Sequence, residues 1–445
     1  MKRLIEAVDK NREIGIRALE YIWKNPETGY REEKTSKYLE ERFEELGYIL
    51  ERPEGIPGFI TRIDTGRPGP EVLVLGELDS VICAEHPECD PETGAVHSCG
   101  HCAQAAALLT IAAALREPGA LDGLSGRIRL CAVPAEELCE IDYRKNLIKE
   151  GKIHYMGGKP EFLYRGLFDG VDIAMMIHTT ASDHCYIDMG RYVGCIPKKI
   201  TYKGHAAHAG TSPSQGINAL YAASLGLQAI NSVRETFREQ DYVRVHPIVT
   251  KGGDIVNTIP DTVTIESYVR GLSFEAIKTV NDRVNRALIG AALALGANIE
   301  IEDNPGYAPC IYDKELARLA YEAIDEALPD IPKNLSEQIS TGSSDIGDLS
   351  MLMPTAQPSM MGARGTGHGA DYYITDPELA VNGSAKWQLA MLHLLLSDGA
   401  ARAKSIIENY KPTFGSKEEY FAFVDSFRRS GDRIEYKGDK AEIRL

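Results

Sequence analysis

The chain has 445 residues, 43% apolar and 26% charged, the balance of a soluble globular protein too long for one core. With 65 acidic against 49 basic side chains the net charge is −16, which excludes a broad basic face for nucleic acid or for an anionic membrane. No apolar run is long enough to cross a bilayer, and the opening "MKRLIEAVDKNREIG" lacks the apolar centre of a signal peptide. The 9 cysteines, an odd count spread along the chain, read as reduced thiols of a cytoplasmic protein, not as a disulfide framework.

Residues 5–23 and 32–46 pattern as charged surface helices. "EVLVLGELDS" (71–80) is an apolar strand ending in carboxylates, and the Ala- and Leu-rich "HCAQAAALLTIAAALRE" (101–117) is a buried helix. "GRIRLCAVPAEE" (126–137) is a second strand ending in carboxylates, and "VDIAMMIHTT" (171–180) a third that ends in a histidine. Strands alternating with helices predict an α/β catalytic domain, a mixed central sheet flanked by helices. In such sheets ligands gather beyond the carboxyl ends of the strands, where these three strands deliver polar residues.

Between 192 and 306 the pattern changes. Strands at 198–204, 242–250, 262–271 and 298–303 interleave with helices at 216–237 and 274–296, the second capped by Ser273. The order β-α-β-β-α-β predicts an inserted α+β, ferredoxin-like domain. The expected division is therefore 1–191, first part of the catalytic domain; 192–306, the insert; and 307–445, the second part with a helical tail. "GTGHGADYYITDPE" (365–378) is a Gly-rich loop carrying one histidine.

The stretch "VHSCGHCAQAAALL" (96–109) raises the chemical question. A lone histidine is more often a satisfied structural residue than a ligand, and a buried cysteine usually a small hydrophobe. Here Cys99 and His101 stand at the turn into a helix, Glu136 and Glu137 end one strand, and His178 ends another. Thiolate, imidazole and carboxylate together suit a borderline-soft divalent ion, zinc first, whereas magnesium prefers oxygen alone. Adjacent glutamates at a strand end point in different directions, so one can ligate while the other moves a proton. Cys99 and Cys102 also form a CxxC, but no thioredoxin-like opening surrounds it, and no second ligand pair makes a structural zinc site.

"HSCGH", "PAEE", "IH" after an apolar strand, "GHAAHAG", "VNTIPD", "YVRG" and "GTGH" follow one another in this order. In them the chain resembles the co-catalytic metal aminoacylase/carboxypeptidase family, in the amidohydrolase branch of N-acyl-amino-acid, auxin-conjugate and p-aminobenzoyl-glutamate hydrolases. The resemblance runs from about residue 15 to 400. It implies one or two divalent ions (zinc, or manganese or cobalt) on Cys99, His101, Glu137, His178 and His368, with Cys99 bridging. It implies Glu136 as general base, and Asp79 orienting a ligand histidine. It further implies that the insert is a lid that makes a homodimer. His208 of "HAG", with His205 a nearby competitor, would reach the neighbour's site to polarise the scissile carbonyl. Asn257 would assist at the oxyanion and Arg270 would clamp a substrate carboxylate. From the residues alone, Arg270 is equally a surface residue at a strand end.

The sequence departs from the family where "HACGHD" reads "HSCGHC", putting Cys102 in place of an aspartate, and where a following histidine is replaced around Gln104–Ala106. The charged tail after 412 runs past the family's usual end. The implied function is a cytoplasmic, metal-dependent amidohydrolase acting on an N-acyl or N-aminobenzoyl amino acid, a small amide substrate with a carboxylate. A dipeptidase, or a hydrolase of an unusual aryl amine or amide, is the alternative enzyme. A non-catalytic binding protein is the alternative outside catalysis, and it predicts a lost ligand or base.

Overall fold

The computed structural model describes residues 1–445 and divides into two compact units. The first comprises Met1–Arg191, Ile311–Ile339 and Ser344–Lys417. Its central sheet has the order Phe59–Asp64, Arg127–Val133, Glu71–Glu77, Ile173–Met175, Thr355–Ala356. Neighbours run parallel except Phe59–Asp64, which is antiparallel to Arg127–Val133, so the sheet is mixed as expected. Every residue of Glu71–Glu77 is buried, the mark of a strand covered on both faces. The helix His101–Leu115 is likewise buried at all positions. Its small side chains let the helix Lys2–Trp23 come very close: a Cβ on Gly15 would stand 2.1 Å from Thr110 Oγ1. The strand expected at 171–180 is in two pieces, Ile173–Met175 and His178–Thr179, which join different sheets.

The second unit comprises Tyr192–Cys310, Ser340–Ser343 and Glu418–Leu445. Its sheet has the order Arg244–Val245, Thr262–Gly271, Gly194–Lys203, Asn298–Asp303, with every neighbouring pair antiparallel. With the helices Ala219–Arg234 and Phe274–Ala294 this is the β-α-β-β-α-β order read from the sequence. The strand expected at 242–250 breaks between Val245 and Ile248, where Pro247 offers no N–H to a ladder. Alternation along Thr262–Gly271 buries Val263, Ile265 and Val269 in this unit's core. Ser273 caps its helix by accepting the Ala276 N–H.

The expected division needs correction at two places. Ser340–Ser343 and Glu418–Leu445 belong to the second unit, not to the first as the range 307–445 supposed. Nor is the end purely helical: after Lys417–Asp425 comes a hairpin, Ile434–Lys437 with Lys440–Ile443. The reason is apolar. Phe423 and Phe427 pack on Phe274 with ring centroids 5.0 and 5.9 Å apart, and Ile434 enters the core. Backbone bridges from Arg429 and Asp432 to Asp303 and Glu300 cover an otherwise open sheet edge.

Candidate metal centre

The turn before His101–Leu115 depends on Gly100, whose φ of 95° is left-handed and whose Cβ, if it had one, would lie 2.4 Å from Tyr372 Oη. That turn leaves Cys99 outside the helix and makes His101 its first residue. Glu136 and Glu137 follow Arg127–Val133 after Ala135, which is left-handed at φ 60°; His368 is too, at φ 63°. Such conformations cost a non-glycine residue on the order of 1–3 kcal/mol and persist where surrounding contacts enforce them. One of these is the His368 N–H donating to Ser98 O at 2.7 Å.

Folding brings Cys99, His101, Glu136, Glu137, His178 and His368 together. Their donor atoms form overlapping groups, each within 4.8 Å: Cys99, His101 and His178 in one; Cys99, Glu137 and His368 in another. Cys99 belongs to both. Its Sγ lies 3.5 Å from His178 Nε2, and His368 Nε2 lies 2.9 Å from Glu137 Oε1. His101 Nδ1 donates to Asp79, 3.0 Å from the main-chain oxygen and 3.1 Å from Oδ1, so Nε2 faces the cluster. Asp79 Oδ2 accepts the Glu137 N–H at 2.7 Å, so one buried carboxylate orients two members of the group. His178 Nδ1 donates to Thr179 O at 2.8 Å, which turns its Nε2 toward Cys99.

The side chains fit a divalent ion. His101 Nε2 and Glu77 Oε2 are buried 3.2 Å apart and neither has another hydrogen-bond partner, so a cation between them, proton or metal, satisfies both. One thiolate, three imidazoles and neighbouring carboxylates are donors for a borderline-soft metal. The paired glutamates also differ from one another. Burial, then the charge of Glu137, holds the Glu136 carboxyl well above the usual carboxylate range. Burial pushes Glu137 the same way, but the hydrogen bond from His368 and the nearby imidazoles outweigh it and bring it to about 2. A carboxyl that can carry a proton beside one that stays ionised is the pattern of divided acid–base and ligand roles.

A buried ion-pair knot lies against this cluster, and sequence reasoning missed it. Lys159, fully buried, places Nζ 2.5 Å from Glu77 Oε1 and also against Asp345 Oδ1. The signal was faint: Glu77 sits in the quoted "ELDS", but Lys159 and Asp345 are isolated charges in unremarked stretches. Cys102 lies in the apolar core, fully buried, and is in none of the donor groups.

The remaining candidates are in the second unit. The pair Ala207–His208 forms a ribbon with Thr258–Ile259, and the Ala209 N–H donates to Asn257 O at 2.9 Å, so His208 and Asn257 are neighbours. His208 Nδ1 accepts the N–H groups of Gly210 and Thr211, both at 3.1 Å, which puts the ring proton on Nε2. His205 instead bridges by its backbone to Ile217. Arg270 lies on Thr262–Gly271 with its guanidinium 5.5 Å over the Tyr268 ring and Nη1 donating to Thr341 O at 3.4 Å.

The sequence pattern of peptidase family M20/M25/M40 matches residues 73–392. The chain belongs to this family. It is 27% identical over 330 residues to one of the subunits of the p-aminobenzoyl-glutamate hydrolase of Escherichia coli (strain K12), a match covering 72% of this chain and 63% of that protein. The chain thus spans a little under two thirds of that relative's length. It is 26% identical over 380 residues to the Xaa-Arg dipeptidase of Mus musculus, covering 80% of this chain and 78% of that one. A dinuclear metal binding peptidase of the M20 family from Bacillus subtilis shares the fold, with a TM-score of 0.64 at 19% identity over 88% of this chain and 99% of that one. No helix of this family member is long and apolar enough to cross a membrane.

Proposed function

We propose that the chain is a metal-dependent amidohydrolase that cleaves the amide bond of an N-acyl or N-aminobenzoyl amino acid. One observation carries the reading: two donor groups share Cys99, and Glu136 stands beside them as a carboxyl able to carry a proton. Cys99, His101, Glu137, His178 and His368 would hold one or two divalent ions, which when bound would supply Lewis-acid polarisation and make water more acidic. Glu136 takes the proton from the attacking water and delivers it to the departing nitrogen. Asp79 keeps His101 and Glu137 in register. His208, donating from Nε2, and the amide of Asn257 meet the carbonyl oxygen as it gains charge, and Arg270 pairs with the substrate carboxylate.

We assign His208 to the neighbouring protomer's site, which makes the working form a homodimer. In support, the second unit exposes large apolar side chains: Tyr221 at 66%, Ile255 at 66% and Val256 at 95%. Nine free cysteines suit a reducing, cytoplasmic setting. A dipeptidase is the second reading, favoured by the similarity to the mouse Xaa-Arg dipeptidase over 80% of the chain.

Turnover of N-acetyl-amino acids, p-aminobenzoyl-glutamate and dipeptides separates the two readings. Glu136→Gln is expected to lower kcat about 10²–10⁴-fold with bound metal unchanged. Undiminished turnover in that variant ends the proposed role of Glu136, and a wild type indifferent to chelation ends the metal dependence.

A further inference from the structure

We propose that Glu77 is a further protein ligand of the metal centre, presenting Oε2 to the ion held by His101 while Lys159 clamps Oε1. The proposal rests on the metal-dependent reading and adds to it a carboxylate donor beside His101.

The two oxygens of Glu77 have different surroundings. Oε1 is 2.5 Å from Lys159 Nζ, which is itself held by Asp345. Oε2 is buried, accepts no hydrogen bond, and lies 3.2 Å from His101 Nε2. Both partners of His101 Nδ1 are oxygens of Asp79, so Nδ1 bears a hydrogen, and Nε2 faces Oε2 either as the N–H of an imidazolium or, once that proton is lost, with a lone pair open to an ion. A positive charge belongs between these two atoms: a proton in the metal-free protein, which an ion bound there would displace. The distance suits a metal: it falls between those of adjacent donors on an octahedral and on a tetrahedral ion with bonds of about 2.1 Å.

A third donor group supports the same point. Oxygens of Glu77 and Glu136 lie with the His101 nitrogen inside a 4.8 Å limit, and Glu136 Oε2 is 4.0 Å from it. His101 thus belongs to two donor groups, one completed by carboxylates and the other by the Cys99 thiol and the His178 imidazole. Lys159 explains how so many buried carboxylates coexist: its ammonium neutralises part of their charge and stops Glu77 from swinging away. Oxygen donors favour harder ions, so Glu77 raises the standing of manganese against zinc.

The test compares wild type with Glu77→Gln, each stripped with chelator and titrated with Mn²⁺, Zn²⁺ and Co²⁺. The expected result is manganese binding weakened by about 10–100-fold or more, zinc binding weakened less, and an altered cobalt d–d spectrum that keeps its thiolate charge-transfer band. Wild type that takes up no ion overturns the amidohydrolase reading and this proposal with it. Wild type that loads normally, with a variant that loads equally well and shows the same cobalt spectrum, overturns this proposal alone. Should the variant not fold, a crystal structure of manganese-loaded wild type decides: Oε2 within about 2.5 Å of an ion supports the proposal, and a longer separation overturns it.

Discussion

The metal centre of the first unit and the His208 ribbon of the second are built in opposite ways. At the centre the functional groups, His368 apart, are buried or half-buried, and several are aimed by another residue: Asp79 holds His101 and Glu137, and Lys159 holds Glu77. His208 and Asn257 are exposed and are positioned by main-chain bonds alone. The rigidity of the second unit resides elsewhere, in a buried knot where Lys198 meets Asp303 and Asn285, and Asn281 also bonds Asp303. On the proposed function, the difference follows from what each region would handle. Donor atoms must converge before an ion arrives, because a small cation cannot reorganise a protein cheaply. Residues that meet a substrate only need to be presented, and exposure lets them do so at little cost to stability.

Breaking the knot should have the largest effect. Asp303→Asn leaves the Lys198 ammonium buried without its counter-charge and should cost about 3–5 kcal/mol in urea unfolding, with metal content in the native state unchanged. Burial alone would raise the Asp303 carboxyl, but Lys198 outweighs it and holds the group below its usual value of 3.8. The folded state therefore binds fewer protons than the unfolded one around that pH. The pair's stabilisation is complete above the ordinary carboxylate range and fades as pH falls below it, so the variant should lose this part of the acid-side decline. An unmoved urea midpoint would show that the knot is not what holds the unit.

His208→Ala should do the reverse. We expect kcat to fall about 10²–10³-fold, as for loss of one oxyanion donor, while the melting temperature stays put because the side chain is exposed. Mixing His208→Ala protomers with Glu136→Gln protomers sharpens the point. If His208 serves the neighbour, mixed dimers regain one working site; no recovery confines His208 to its own protomer. The smallest effect is expected from Cys102→Ser, about 1–3 kcal/mol of stability for a hydroxyl in an apolar core, with turnover intact. Lost turnover at full metal loading would reopen the redox reading of the CxxC.

What could be read in advance was what local chemistry determines. The turn at Gly100, the paired glutamates after a strand and the Gly-rich loop of His368 are each set within a few residues, so each motif can be read as a contiguous stretch although the three lie far apart in the chain. The Lys159 knot was not legible: its partners are 82 and 186 positions away, and each charge taken singly reads as a solvated one. The split of 171–180 escaped for another reason, since apolar periodicity is blind to a chain changing sheets. The tail misled because its many charges outnumber Phe423, Phe427 and Ile434, the side chains that decide where it packs.

That return of the C-terminal segment has a practical bearing. A chain shortened at residue 412, beyond the 73–392 span that the family pattern matches, would keep every candidate ligand and the candidate base, and by residue bookkeeping would look intact. It would nonetheless strip aromatic packing and an edge cover from the other unit, so a truncation scan of this enzyme reports on the insert rather than on the end it removes. An affinity tag after Leu445, 64% exposed, extends from the hairpin side and spares that packing.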